Sequence, residues 1–190
     1  VNMKIKVDQV LDAKGLSCPM PIVKTKKAMD ALDPGQVIEV RATDKGSTAD
    51  IQAWAKSVGH QYLGTLKDGD VLKHYLRKAS AKETKAEAKH PLTIDHRLLQ
   101  EKIENQEEMT ILDVREPAEY AFGHIPSAKH IPLGELENRL KEIDPNLPVY
   151  VICRSGHRSD LVCQLLSEKG FKKVLNVIPG MSEWDGPVEK

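Results

Sequence analysis

The stretch VYVICRSGHRS, residues 149–159, joins four consecutive apolar residues to a polar loop that contains a cysteine. The apolar run predicts a buried strand that ends at Cys153. Residues 111–114 and 173–177 are further strand candidates on either side of it. This alternation of strands and helices predicts a parallel sheet flanked by helices. The periodic apolar residues after the loop predict a helix from about His157 to Lys169, ended by Gly170, with Leu161, Val162, Leu165 and Leu166 facing inward.

The loop from Cys153 to Ser159 follows a parallel strand, at the edge of the sheet where ligands bind in such folds. Its backbone N–H groups and the N-terminus of the next helix attract negative charge, and Arg154 and Arg158 add positive charge. All three effects favour the nucleophilic thiolate form of Cys153. The sequence therefore predicts a catalytic Cys153 that attacks an anionic or polarised sulfur substrate; the alternative is an incidental thiol in a solvated loop. The expected substrate-binding residues are Arg154, Ser155, Gly156, His157, Arg158 and Ser159.

Four motifs, in this order, resemble those of rhodanese-type sulfurtransferases. They are ILDVRE at 111–116, GHIPSA at 123–128, the loop at 153–159, and the closing motif from Gly180-Met181 to Trp184. The resemblance covers residues 92–187 and implies a rhodanese-like domain in which Cys153 carries a persulfide held by N–H groups from Arg154 to Arg158. It also implies that Asp113 and Arg115 are mainly structural. Pro179 stands where members of the family often have a glycine, and its ring would stiffen the rim of the pocket.

Phosphatases of the same fold also use a loop cysteine, and their loop resembles the pattern C-x5-R. Here only four residues separate Cys153 from Arg158. A shorter loop makes a smaller cradle, which suits a sulfur atom better than a phosphate. A small-anion phosphatase is therefore the less favoured alternative.

The first part of the chain predicts the element order βαβαββ, with two helices packed on a small sheet. Proline suits the first turn of a helix, so Cys18-Pro19-Met20-Pro21 begins a helix that runs to about Leu32. Ser47 and Asp50 resemble a capping box at the start of a second helix, and Gly59 ends that helix. We expect strands at 9–13, 36–43, 62–66 and 71–76, and an amphipathic second helix with Ile51, Trp54, Ala55 and Val58 on one face.

Cys18 is the second cysteine with a predicted function. A thiol at the N-terminus of a helix is stabilised as thiolate by unpaired N–H groups and the helix dipole. The stretch LDAKGLSCPMP at 11–21, together with ATDKGS at 42–47 and Ala53-Trp54, resembles the TusA/SirA family of sulfur carriers over residues 9–77. The resemblance implies a two-layer α/β sandwich with a carrier cysteine at Cys18; the alternative is a half-buried structural thiol. The lysines at 24, 26 and 27 would dock an acidic partner or form a solvated helix face.

Residues 78–91 contain no large apolar side chain and are rich in Ala, Lys and Glu, a composition typical of a linker. We therefore expect a TusA-like domain at 1–77, a linker at 78–91 and a rhodanese-like domain at 92–190. The formal charges of these three parts are +3, +2 and −5, and they sum to zero. Neither domain is basic enough to predict a nucleic-acid partner.

Three cysteines, Cys18, Cys153 and Cys163, are too few and too widely spaced for a disulfide framework or a zinc site. We expect Cys163 to be structural rather than a resolving thiol, and His90 and the other histidines outside the two rhodanese motifs to have solvent or local hydrogen bonds. The apolar runs are far shorter than a bilayer span, and no signal-peptide pattern is visible. The sequence therefore predicts a cytoplasmic monomer or dimer without a metal, a cofactor or a membrane partner.

Together with these patterns, the two family resemblances imply a sulfurtransferase that takes a sulfane sulfur from thiosulfate, glutathione persulfide or another small persulfide. Cys153 would hold the sulfur as a persulfide and relay it to or from Cys18, because the linker keeps the two thiols at a high effective concentration. The expected partners are small sulfur donors, thiol acceptors and other sulfur-carrier proteins. The competing hypotheses are a non-catalytic persulfide carrier or sensor, and two domains that act independently.

Overall fold

The chain folds as two units, Val1–Ser80 and Ala81–Lys190, each built on its own sheet. The computed structural model describes residues 5–17, 19–79 and 90–190. Both predicted architectures, βαβαββ in the first unit and a parallel sheet flanked by helices in the second, are confirmed.

The N-terminal unit is a two-layer α/β sandwich. Its elements are β1 (Gln9–Ala13), α1 (Met20–Asp30), β2 (Val37–Ala42), α2 (Ser47–Val58), β3 (Gln61–Asp68) and β4 (Val71–Arg77). The strands lie in the order β1-β2-β4-β3; β1 is parallel to β2 and the other neighbours are antiparallel. The core between sheet and helices contains Ala13, Met29, Ile38, Val40, Ile51, Ala55 and Leu76. As predicted, Gly59 ends α2 in the left-handed conformation, at φ +82°.

The capping box predicted at Ser47 is wrong, because α2 already begins at this residue, after Gly46. The Ser47 hydroxyl donates to the carbonyl oxygen of Asp44 at 2.6 Å and accepts from Nε2 of His74 at 2.9 Å. Nδ1 of His74 in turn accepts from Oγ1 of Thr65 at 2.7 Å. His74 is fully buried, and burial lowers its pKa to about 4, so the imidazole is neutral. These bonds tie α2 to β3 and β4.

The C-terminal unit is a five-stranded parallel sheet in the order β5-β9-β8-β6-β7. Alternate residues of β8 enter two apolar clusters, Val149 and Val151 in one, Tyr150 and Ile152 in the other, so both faces of the sheet are covered. The elements are β5 (Thr93–Ile94), α3 (His96–Glu104), β6 (Thr110–Asp113), α4 (Pro117–Ala121), β7 (Lys129–His130), β8 (Val149–Ile152), α5 (His157–Glu168) and β9 (Val174–Val177), with short 3₁₀ helices at Leu133–Asn138, Leu140–Glu142 and Met181–Glu183.

The inward face predicted for α5 is wrong at Leu161, whose side chain is 45% exposed. The buried side of the helix instead runs through Ser159, Val162, Cys163 and Leu166, all fully buried. Ser159 is held at the sheet by hydrogen bonds at the start of the helix, and this fixes the rotation of α5 about its axis.

The two ends of the predicted linker are held by the units that flank it. The backbone of Lys78 pairs with Gly35 and Gln36 at 2.7 and 2.9 Å. His90 is only 7% exposed; its N–H donates to Oδ1 of Asp160 at 2.7 Å, and its Nε2 donates to the carbonyl oxygen of Val174 at 2.8 Å. The expectation of solvent or local partners for His90 is therefore wrong. Residues 80–89 lie outside the described residues, and the predicted domain boundaries stay a prediction.

Candidate active site

Cys153 directly follows β8 and precedes α5, at the carboxyl end of the parallel sheet. Its side chain is fully buried. Sγ accepts the backbone N–H of Gly156 at 3.1 Å and that of Ser159 at 3.3 Å, and Oγ of Ser159 lies 3.3 Å from it. Two N–H donors on one sulfur favour negative charge there, because they stabilise a thiolate more than a thiol. The loop therefore has the donor arrangement that an anionic sulfur requires.

The closing motif holds the active loop from the other side. The N–H of Met181 donates to the carbonyl oxygen of Cys153 at 2.8 Å, and the N–H of Ser182 donates to that of Arg154 at 3.0 Å. A Cβ atom on Gly180 would lie 2.4 Å from both of these carbonyl oxygens, so only glycine fits there. These two bonds hold the backbone at the start of the loop, and the N–H groups that face the sulfur come from Gly156 and Ser159 further along it. Pro179, at the rim, follows a cis peptide bond.

A polar pair lies behind the sulfur. Oγ of Ser159 donates to Oδ1 of Asn176 on β9 at 2.6 Å, and Nδ2 of Asn176 donates to the carbonyl oxygen of Gly156 at 3.1 Å. Ser159 and Asn176 are both fully buried. Asn176 thus bonds to the loop at two points, the Gly156 carbonyl just before α5 and the Ser159 hydroxyl in the first turn of α5.

Arg158 does not add its charge to the site in the way that the sequence predicts. Its guanidinium donates to both carboxylate oxygens of Glu119 on α4, at 2.7 and 3.1 Å. The Arg158 side chain is 8% exposed and that of Glu119 is fully buried. The positive charge is therefore neutralised by a buried partner.

The remaining predicted loop residues, Arg154, Ser155 and His157, are half-buried. The structure brings Gly156 and Ser159 onto the sulfur of Cys153, and it turns the Arg158 side chain towards Glu119. The assignment of residues 154–159 to substrate binding stays a prediction.

Asp113 and Arg115 form a second buried ion pair. Nε and Nη2 of Arg115 donate to the Asp113 carboxylate at 2.7–3.1 Å, and Nη2 also donates to the carbonyl oxygen of Gly123 at 2.8 Å. The pair thereby links the first two rhodanese-like motifs to each other. These contacts are those of a structural pair.

Cys163 is fully buried in the core formed by α5 and the sheet. Burial raises the pKa of this thiol strongly, and the nearby Asp160 and Cys153 raise it further. The neutral thiol is a poor nucleophile, which agrees with the expected structural role.

Cys18 lies outside the described residues. On either side of it, Pro19 caps α1, the N–H of Met20 donates to the carbonyl oxygen of Ser17 at 3.0 Å, and Pro21 occupies the first turn, as predicted. The helix also exposes two apolar side chains near this end, Met20 at 43% and Val23 at 52%.

Sequence reasoning missed Glu119 and Asn176. Glu119 is 39 residues from Arg158, and Asn176 is 17 residues from Ser159, so no local pattern connects them. Glu119 had one local signal, a capping box with Glu116 at the start of α4, and Asn176 had only its position as a polar residue in an apolar strand.

Within residues 5–17, 19–79 and 90–190, no group of three or more His, Cys, Asp or Glu side chains is placed to hold a metal ion. In the same part of the chain, no helix combines the length and the apolar character that crossing a bilayer demands.

Comparison with known families assigns both units. The family model described as "Sulfurtransferase TusA" matches residues 9–78, and the model described as "Rhodanese-like domain" matches residues 95–186. Together the two matches take in most of the chain, and they agree with the two resemblances seen in the sequence.

Three relatives match different lengths of the chain. The "Putative sulfur carrier protein YrkF" of Bacillus subtilis (strain 168) is 51% identical over 185 residues, which cover 97% of this chain and 100% of YrkF. The "Sulfur carrier protein TusA" of Allochromatium vinosum is 45% identical over 73 residues, 38% of this chain and 95% of that protein. A protein named "Sulfurtransferase" from the same organism is 36% identical over 91 residues, 48% of this chain and 85% of that protein.

Proposed function

The chain belongs to the sulfur-carrier and sulfurtransferase family that joins a TusA domain to a rhodanese-like domain, and on this premise we propose that it moves a sulfane sulfur through a persulfide on Cys153. The observation that carries the proposal is the pair of backbone N–H groups, from Gly156 and Ser159, that meet at the buried Sγ of Cys153. The first step, in which a sulfane sulfur is loaded onto Cys153, needs the thiolate of Cys153 and a donor with a polarised sulfur–sulfur bond.

In the loading step, the Cys153 thiolate attacks the sulfane sulfur of the donor. A new sulfur–sulfur bond forms on Sγ while the donor's own sulfur–sulfur bond breaks, and the leaving group departs with the electron pair. The leaving group is sulfite from thiosulfate, or glutathione thiolate from glutathione persulfide. The loop N–H groups then stabilise the negative charge of the bound persulfide.

In the relay step, the Cys18 thiolate attacks the outer sulfur of the Cys153 persulfide. The sulfur moves to Cys18, and Cys153 leaves as a thiolate, so that no external oxidant or reductant is needed. The reverse direction uses the same bonds. The linkage of both thiols in one chain favours this exchange over an encounter between separate proteins.

The geometry disfavours a phosphatase. An arginine that closes a phosphate cradle directs its guanidinium at the oxygens of the anion. The Arg158 guanidinium instead donates to both oxygens of Glu119, and the carboxylate beside it would repel a phosphate. A sulfane sulfur bound at Sγ needs no such arginine.

The decisive experiment is peptide mapping by mass spectrometry after incubation with thiosulfate or glutathione persulfide. The variants are the parent, Cys153→Ser, Cys18→Ser and, as a matched control, Cys163→Ala. We expect one added sulfur on Cys153 in the parent and the control, and sulfur on Cys18 only when Cys153 is present. Equal loading of Cys18 in Cys153→Ser would contradict the relay, and a Cys153 that never gains sulfur would contradict the whole proposal.

Turnover with cyanide as the sulfur acceptor distinguishes a sulfurtransferase from the competing hypothesis, a carrier or sensor without turnover. A sulfurtransferase should form thiocyanate from thiosulfate over many cycles, and Cys153→Ser should abolish this. A single equivalent of thiocyanate per chain would identify a carrier that loads but does not turn over.

A further inference from the structure

A chain of buried hydrogen bonds runs from Cys153 through Ser159 to Asn176. Sγ of Cys153 lies 3.3 Å from Oγ of Ser159, which lies 2.6 Å from Oδ1 of Asn176. All three side chains are fully buried in the resting protein. The effect of these hydrogen bonds on the reactivity of the Cys153 sulfur depends on which atom receives the single hydroxyl proton of Ser159.

The direction of each bond follows from the chemistry of its two atoms. The carbonyl oxygen of Gly156 can only accept, so the amide nitrogen of Asn176 must face it, as it does at 3.1 Å. This leaves Oδ1 of Asn176, also an acceptor only, facing Ser159. Ser159 therefore gives its one hydroxyl proton to Asn176 and turns a lone pair towards Cys153.

We propose that Asn176 is a positioning residue that withholds the Ser159 hydroxyl proton from Cys153 and thereby restrains the reactivity of the resting thiol. While Cys153 holds its proton, the thiol donates that proton to Oγ of Ser159. When the thiol proton passes to solvent, the Ser159 hydroxyl turns from Oδ1 of Asn176 to Sγ without breaking its O–H bond. The thiolate then has three donors, namely the N–H groups of Gly156 and Ser159 and the Ser159 hydroxyl.

Asn176 thus competes with the sulfur for one proton. Without Asn176, the hydroxyl has only the sulfur to donate to, and the thiolate gains a hydrogen bond at no cost to another acceptor. The carbonyl oxygen of Gly156 would still be satisfied, because it also accepts the N–H of Asp160 at 3.1 Å. Removal of the Asn176 amide should therefore make Cys153 more reactive, whereas loss of a merely structural residue should not.

The test measures the alkylation rate of Cys153 by iodoacetamide at one mildly acidic pH, read from the peptide that contains Cys153. The variants are Asn176→Ala and Asn176→Leu, each made in the parent and in a Ser159→Ala background. A hydrogen bond to a charged group shifts the thiol–thiolate balance by about tenfold, and the lower basicity of the thiolate offsets part of the gain. We expect alkylation about threefold faster in the parent background and unchanged in the Ser159→Ala background.

A slower rate in the Asn176 variants, or the same change in both backgrounds, would overturn the proposal, because Asn176 would then not act through the Ser159 hydroxyl. Asn176→Leu keeps the number and the branching of the side-chain heavy atoms, so it is the variant to measure if Asn176→Ala does not fold. The inference rests on Cys153 being the nucleophile of the proposed function. Alkylation reports the thiolate whether or not it transfers sulfur, so failure of persulfide loading and failure of this inference give different results.

Discussion

The Arg158 guanidinium and the Glu119 carboxylate form a two-bond ion pair, at 2.7 and 3.1 Å, that is almost wholly buried beneath the active loop. The pair joins the first turn of α5 to α4, two elements that flank the same end of the sheet. Its electrostatic effect on a bound sulfur is small, because the two charges cancel at a distance. The role that follows from this geometry is to support the loop rather than to bind the donor.

Glu119→Gln should destabilise the C-terminal unit by about 3–5 kcal/mol, since it replaces the charged acceptor of a buried guanidinium with a neutral one. The double variant Glu119→Leu/Arg158→Met should lose less stability than Glu119→Gln, because an apolar pair replaces both ions; the remaining loss is that of the hydrogen bond from the Glu116 N–H to Oε1 of Glu119. Denaturant unfolding followed by Trp184 fluorescence, in a Trp54→Phe background, measures both. The double variant should still load sulfur on Cys153; loss of loading in this folded protein would show that the Arg158 charge acts on the donor.

Gly180→Ala should impair sulfur loading while the N-terminal unit keeps its stability. Its Cβ would lie 2.4 Å from the carbonyl oxygens of Cys153 and Arg154, so the two loops must separate, at a cost of about 1–3 kcal/mol. We expect the loading rate of Cys153 to fall at least tenfold, by a small displacement of the N–H donors. Gly134→Ala is the matched control, because a Cβ at Gly134 meets no atom within 4 Å. Equal loading in the two variants would refute the supporting role of the closing motif.

The stability of the N-terminal unit should depend on pH through His74. Burial lowers the pKa of His74 from 6.5 to about 4, so the unfolded chain binds this proton more readily than the folded chain. The contribution of neutral His74 to the free energy of unfolding is fully present above pH 6.5. It is lost as the pH falls from 6.5 through about 4, and the free energy of unfolding then decreases by up to about 3 kcal/mol. Unfolding followed by Trp54 fluorescence in a Trp184→Phe background measures it. His74→Gln should remove this part of the pH dependence, and an unchanged slope in that variant would assign it to another group.

Cys163 should stay unlabelled when the folded protein is treated with iodoacetamide at neutral pH. Burial raises the pKa of its thiol, and no thiolate is available to react. Cys163→Ala should lower the free energy of unfolding by about 1 kcal/mol, because it leaves a small cavity. This variant should load sulfur on Cys153 as the parent does. A sulfur atom or a label found on Cys163 in the folded protein would instead identify a resolving thiol.

Local patterns in the sequence predicted most of the fold. The apolar run at 149–152, the left-handed Gly59 and the alternation of strands and helices depend on residues close together in the chain, and each is confirmed. The errors arose where a distant contact decides the geometry. Leu161 is exposed because Ser159 fixes the rotation of α5, and Ser47 is not a cap because its hydroxyl bonds with His74, 27 residues away.

The candidate site shows the same limit. The sequence placed Cys153 at the end of a strand and expected N–H groups from Arg154 to Arg158 to face it, because loop, strand and helix are continuous in the chain. Of the two N–H groups at Sγ, that of Gly156 lies within this range and that of Ser159 lies one residue beyond it. It assigned the Arg158 charge to the loop, because the partner Glu119 is 39 residues away and its local pattern, a capping box with Glu116, does not point to an arginine. Asn176 escaped notice for the same reason, since a single asparagine in a short apolar strand predicts neither a partner nor a direction.

The active loop depends on a segment outside itself. The N–H groups of Met181 and Ser182 hold the carbonyl groups of Cys153 and Arg154, so the loop alone cannot be moved into another protein with its geometry intact. Residues 153–159 grafted into another scaffold would arrive without the segment that fixes their backbone, and without the asparagine and the carboxylate that orient Ser159 and Arg158. Such a graft would carry a cysteine but not its donor arrangement. To obtain this nucleophile in another protein, one would have to transfer the end of β8, the strand β9 with Asn176, the turn at Gly180 and α4 together with the loop.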